Sequence, residues 1–133
     1  MNRQTQRTWD KFRLLLPIAY AAGIFYGGVT RMGELPHTRF IASDKLLHAG
    51  AFLGLEVLVE WALLGRDPRM RRFTAVASAI GVGAVLELVQ AGLPYRSSDI
   101  WDLVADSVGA FMGAIGVALL TRIHSKQAGG EPS

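Results

Sequence analysis

The chain has no cysteine. That removes a disulfide scaffold, a thiolate zinc site and a cysteine nucleophile, and it leaves the redox compartment open. Charge is scarce too. Only 19% of the 133 residues are Asp, Glu, Lys or Arg, against about a quarter in an ordinary soluble domain. There is no phosphate-binding loop, no dinucleotide glycine fingerprint, no Gly-x-Ser-x-Gly elbow and no His-Glu-x-x-His zinc motif. No internal repeat or low-complexity segment breaks the chain. What it has instead is apolar residues, 50% of the total, with a mean hydropathy of +0.27. That content excludes disorder. It leaves a small membrane protein or an unusually apolar bundle, of a length that fits one domain.

Four apolar stretches run over Leu14–Val29, Leu46–Leu64, Thr74–Leu93 and Leu103–Leu120. Each holds 16 to 20 residues, near the roughly 20 that a helix needs to cross a bilayer core. They are apolar around most of the helix, unlike the two-faced helices of a soluble bundle. Pro36, Pro68 and Pro94 fall between them, and Pro17 falls near the start of the first, where a helix tolerates proline. The expected fold is therefore an all-α, polytopic bundle of four transmembrane helices. Residues 1–13 form a basic N-terminal segment, 14–122 the membrane domain and 123–133 a short tail that frays after Ser125. Ala19-Tyr20-Ala21 has the small-x-small form of a signal cleavage site, but the apolar run continues to Val29, so a retained helix is expected.

The basic residues orient the bundle. Arg3, Arg7, Lys11, Arg13, Arg66, Arg69, Arg71, Arg72, Arg122 and Lys126 lie at one set of ends, and only Arg31, Arg39, Lys45 and Arg96 at the other. Positive residues stay inside, so both termini are expected in the cytoplasm of a cell whose inner membrane the chain crosses. The net charge of +3 is then a topology signal with contact to anionic lipid. It is not a nucleic-acid surface, since no aromatic-interleaved basic patch accompanies it. Trp9, Trp61, Tyr95 and Trp101 fall near helix ends, as interfacial anchors do; Trp101 could also stack on a sugar or ring.

Ionisable residues in or beside such helices are functional candidates by default. Asp44 and His48 share a face of the second helix, with Lys45 beside them. Glu87 and Gln90 share a face at the end of the third. Arg96 follows in the loop. Asp99, Asp102 and Asp106 line one face at the start of the fourth, continuing through Gly109, Gly113 and Gly116. That glycine stripe invites close approach of another helix and turns the acidic face inward. The topology gathers all of them on the outer side, as one polar pocket.

Plainer readings compete. Ser98 or Asp99 can cap the fourth helix, Ser43 or Asp44 the second, and Lys45 can reach headgroups. His48 can be a hydrogen-bonded packing residue. Glu87 with Arg96, or Asp106 with Lys45, can be structural ion pairs. Glu87 and Asp106 resist dismissal most, because they lie beyond cap range. One histidine among carboxylates suits Mg²⁺ or Ca²⁺ better than zinc, but no metal or cofactor is expected. Glu56 and Glu60 share another face, with Glu60 able to reach Arg66 or an N-terminal arginine. Packing near Tyr20 and a proton path to the outer cluster are the two readings for Glu56. Gly23-x-x-x-Gly27 and Gly50-x-x-x-Gly54 allow a homo-oligomer.

Three segments, Ser43-Asp44-Lys45-Leu46-Leu47-His48, Glu87-Leu88-Val89-Gln90 and Arg96 to Ala110, resemble the VanZ-like family of small bacterial membrane proteins. They are similar to its Asp-Lys-x-x-His, Glu-x-x-Gln and Arg-x-x-Asp-x-x-Asp-x-x-x-Asn-x-x-Gly patterns, in order and spacing, over Ser43 to Gly116. Asp106 stands where the pattern usually has Asn, and Glu56 and Glu60 lie outside it. The family takes its name from a protein linked to teicoplanin resistance, and the resemblance implies an envelope role without a settled activity.

Three functions follow as expectations. In the first, the pocket binds a lipid, lipid-linked cell-wall precursor or glycopeptide, with Lys45, Arg96, Asp44, Gln90, Asp99 and Asp102 as binding residues. In the second, a membrane enzyme uses Glu87, His48 and Asp106 for acid–base chemistry on a lipid-linked substrate. The third is a proton-coupled transporter. The topology itself is testable: an alkaline phosphatase fused after Ser125 should be inactive and a fluorescent protein fused there bright. An active phosphatase at that site would invert the orientation.

Overall fold

The computed structural model describes residues 3–30, 41–95 and 99–128, with side chains described for Trp9, from Phe12 in the first helix, and from Lys45 in the second. Four helices, α1 (Arg3–Val29), α2 (Ile41–Ala62), α3 (Pro68–Ala91) and α4 (Ile100–Ala128), make up the fold, and no strand occurs among the described residues. α2 is the hub and touches the other three. α3 also packs on α4 and α1, whereas among the described residues α1 and α4 do not meet.

Local chemistry sets the helix ends. Asp67 caps α3 by accepting from the backbone N–H groups of Arg69 and Met70, both at 3.0 Å, and Pro68 opens the helix where no N–H is needed. Asp99 caps α4 by accepting from the Trp101 N–H at 3.0 Å. Two ends differ from expectation. α1 starts at Arg3, well before its apolar stretch, so Pro17 sits deep inside the helix rather than in its first turn. The helix continues past it, with the Arg13 carbonyl deprived of its usual donor. α4 likewise stays helical to Ala128, beyond the point where fraying is expected.

Three helices, over Phe12–Val29, Pro68–Ala91 and Ile100–Gln127, are long and apolar enough to cross a membrane by length and composition. α2 is not among them, because any span-length stretch within it takes in Glu56 together with Asp44 or Lys45. The side-chain distribution is the reverse of a soluble bundle. Leu46, Leu47, Phe73, Leu88, Ile100 and Leu120 are exposed, while Glu56, Glu60, Gln90 and Asp106 are buried beside Phe52, Leu55 and Leu86. Apolar outside and polar inside is consistent with a membrane protein, whose surroundings are as apolar as leucine. The end aromatics Trp9, Trp61, Tyr95 and Trp101 are all exposed, and the Arg13 guanidinium lies 5.6 Å from the Trp61 ring centroid, a cation–π distance.

Close approach of α2 and α4 is the tightest feature. A Cβ added to Gly109 would collide with the backbone of Ala49, and one added to Gly113 would lie 3.1 Å from the Leu53 carbonyl oxygen. The expected glycine stripe thus serves at two of its three positions, since a Cβ at Gly116 would meet nothing within 4 Å. Backbone cannot yield as a side-chain tip can. Gly109→Ala should therefore lower stability by about 1–3 kcal/mol, read as a fall in melting temperature in detergent. Gly81→Ala, which points into open space, should leave it unchanged or slightly raised. Equal melting of the two variants would show that the α2–α4 seam is looser than this.

Candidate functional site

Where α2 and α4 begin and α3 ends, a chain of polar contacts runs from the surface inward. At the rim, Lys45 of α2 donates from Nζ to Asp99 Oδ2 at 3.0 Å and to Asp102 Oδ1 at 2.8 Å. One turn deeper, His48 Nδ1 lies 2.9 Å from Asp106 Oδ1. Exposure falls along this line, from 43% for the Asp99 side chain to 14% for Asp102 and 0% for Asp106. The spacing of three and four on α4 stacks the three aspartates on one face. Lys45 and His48, three apart on α2, meet them in the same order.

α3 contributes Glu87, whose Oε2 accepts from the Asp99 backbone N–H at 3.2 Å. Asp99 caps the helix with Oδ1, as foreseen, and holds Lys45 with Oδ2, which was not. The Trp101 N–H and then the Lys45 ammonium hold its carboxyl below the ordinary value of 3.8. Two oxygens in the cluster, Glu87 Oε1 and Asp106 Oδ2, are buried without a hydrogen-bond partner among the described residues. Asp106 Oδ2 faces Gly83 of α3, where an added Cβ would come within 2.8 Å of it. Gly83 and Glu87 are one turn apart, so both spare oxygens lie along the same face of α3.

Six of the nine expected site residues, Lys45, His48, Glu87, Asp99, Asp102 and Asp106, therefore converge. Gln90 does not join them. It turns to α1 and donates to the Gly28 carbonyl at 2.9 Å, tying two helices together. Arg96 and the Asp44 side chain lie outside the described residues. The expected Glu87–Arg96 pair lies outside them for the same reason. Lys45 pairs with Asp99 and Asp102 rather than with Asp106, whose partner is His48. Among the described residues, no three His, Asp or Glu side chains are grouped so as to hold a metal ion.

At the other end of the bundle, Glu60 finds a basic partner, though not the expected one. Arg71 donates to Glu60 Oε1 from Nε at 3.1 Å and from Nη2 at 3.0 Å, and Arg72 Nη2 lies 3.6 Å away. In the sequence Arg71 is one of several charges in a basic loop. Its place in the opening turns of α3, a short turn from the end of α2, is shared by Arg69 and Arg72, so position marks the group and not Arg71 itself.

The model of the VanZ/LLP1 family matches residues 3–121, nearly the whole chain. The chain belongs to the VanZ/LLP1 family. No curated protein and no solved structure matches it. The matched range takes in all the converging residues of this VanZ-like chain, and the family assignment carries with it no residue roles.

The rim clamp makes a pH-dependent prediction. Lys45→Met should lower the melting temperature at neutral pH, by leaving Asp99 and Asp102 facing each other without their cation, and Lys45→Arg should restore much of it. Because the folded value for Asp99 is depressed, its contribution is complete above 3.8 and lost as pH falls through the folded value. The gap between wild type and Lys45→Met should therefore narrow on acidification below that range. A gap that is absent at neutral pH, or that widens in acid, would refute the clamp.

Proposed function

We propose that this VanZ-like chain is a multi-pass protein of the bacterial cytoplasmic membrane, with four spanning helices and both termini inside. Its polar cluster then opens outward and binds an envelope component, either a lipid or a lipid-linked cell-wall precursor, by its headgroup. α2 crosses with the others because its charged groups are covered by its neighbours: Glu56 and Glu60 are buried, and Lys45 is held by two aspartates. The basic excess at the Arg71 end supports the orientation.

The observation that carries the binding reading is what the internal pairs leave over. With Lys45 and His48 engaged, Glu87 Oε1 and Asp106 Oδ2 are still without partners. A buried acceptor without a donor costs about 1–3 kcal/mol, and an arriving donor relieves that cost. In this reading Lys45 organises the carboxylates, and contact with a phosphate falls to Arg96. Glycopeptide resistance of the teicoplanin type is the phenotype to monitor.

One observation favours a second reading, a membrane enzyme on a lipid-linked substrate. Asp106 is wholly buried and bonded to His48 Nδ1, an arrangement that fixes the ring for proton transfer, with Glu87 as the further acid or base.

Lipids extracted from the purified protein and identified by mass spectrometry test both. Wild type should carry an enriched headgroup class that Glu87→Gln and Asp106→Ala lose while still folding. The same lipid profile in all three would defeat the binding reading. Conversion of that lipid by wild type, with binding but no conversion by Glu87→Gln, would favour the enzyme.

A further inference from the structure

Glu56 stands apart from the cluster at the Asp99 end, on the same face of α2 but two turns further along. It is completely buried, and neither of its carboxyl oxygens has a hydrogen-bond partner among the described residues. Such a group is costly in any apolar interior unless something joins it.

The surroundings of Glu56 narrow what that is. α4 offers backbone only: a Cβ added to Gly113 would lie 2.6 Å from Glu56 Oε2. From α1 comes Tyr20, but its hydroxyl lies against Gly54, two residues from Glu56 and so on the other side of α2. α3 brings Arg71 and Arg72, but both are directed to Glu60 Oε1. On α2 itself the neighbour is Glu60, which interacts with Glu56 and whose second oxygen, Oε2, is also buried without a partner. Arg71 and the Arg72 Nη2 are thus turned to one oxygen of Glu60. Among the described residues the Arg72 Nε is buried without a partner, and three carboxyl oxygens remain without a hydrogen bond. A metal ion asks for more ligands than this. Among the described residues no group of three His, Asp or Glu side chains could hold one. A proton asks for one acceptor and no volume.

We propose that Glu56 is a proton-binding site inside the bundle, its proton held between Glu56 and Glu60 Oε2 while Arg71 and Arg72 fix the other oxygen of Glu60. Phe52, one turn from Glu56 toward His48 and 1% exposed, closes that side. On the other side Glu60 is as deeply buried, but the Arg72 side chain against it is 34% exposed and gives the proton a polar way out. This site is independent of the envelope-binding reading.

The test uses the full chain in native membranes, treated with dicyclohexylcarbodiimide, which reacts with protonated carboxyl groups shielded from water. Peptide mass spectrometry should place the adduct on Glu56, with a yield that falls as pH is raised and an absence of adduct in Glu56→Gln. Infrared spectra of the purified protein should show a protonated-carboxyl carbonyl band that shifts in D₂O and is missing from folded Glu56→Gln. If that variant does not fold, the adduct position and the D₂O-sensitive band of wild type decide alone. Absence of such a band in wild type would overturn the proposal. So would labelling that sodium ions suppress at constant pH, which would make the bound cation a metal.

Discussion

Backbone contact between α2 and α4 at Gly109 and Gly113 determines where the interior polar groups go. With no side chain between the two helices at those points, their relative height is fixed to within a fraction of a turn. That height sets Lys45 beside Asp99 and Asp102, and His48 beside Asp106. It also presses Glu56 against bare backbone at Gly113. A bulkier seam would part the helices, and the polar groups of α2 would face an apolar surround alone. In lipid, where apolar burial gives helices little reason to associate, such close packing and buried polar contacts do much of the holding.

Charge is then distributed by need. Each end of the bundle has one cation shared or doubly bonded: Lys45 serves two aspartates, and Arg71 places two donors on one oxygen of Glu60. The buried Arg71–Glu60 pair is weak evidence for net stability, because desolvation offsets much of its attraction, and solvent screens the part-exposed Lys45 pairs. Their effect here is positional. They occupy Lys45 and Arg71, while among the described residues the Arg72 Nε stays buried without a partner, and acceptors are left over at Glu87, Asp106 and Glu56. These spare acceptors distinguish the interior from a set of structural staples.

The fold was legible in the sequence because hydropathy and charge placement speak directly about helices and their ends. Spacing of three and four identified the aspartate face of α4 correctly, and Lys45 and His48 meet it. The Asp44 side chain, matched with His48 by spacing, lies outside the described residues. What spacing cannot give is the height of one helix against its neighbour. Lys45 could therefore be matched with Asp106 on paper when it belongs a turn higher, with Asp99 and Asp102. For the same reason Gln90, on the correct face by its distance from Glu87, turns instead to the Gly28 carbonyl of α1. Arg71 was hidden differently. In a run with Arg69 and Arg72, nothing local shows which arginine folds back under α2. α1 was under-read because its polar first half lacks the apolar signal yet is helical from Arg3.

Asp106 concentrates these points in one residue. An Asn at this position could satisfy His48 as a neutral partner. A carboxyl at the same place keeps the contact, at 2.9 Å to Nδ1, and adds a second acceptor that has to be accommodated. The space for it comes from α3, where Gly83 has no side chain to obstruct Oδ2. No donor comes with that space. Glu87, one turn along the same face, brings another acceptor. Asp106 therefore deepens an excess of acceptors at this end of the bundle. It shifts what the site can accept toward groups that donate hydrogen bonds or carry positive charge, and away from bare anions unless Arg96 counters it.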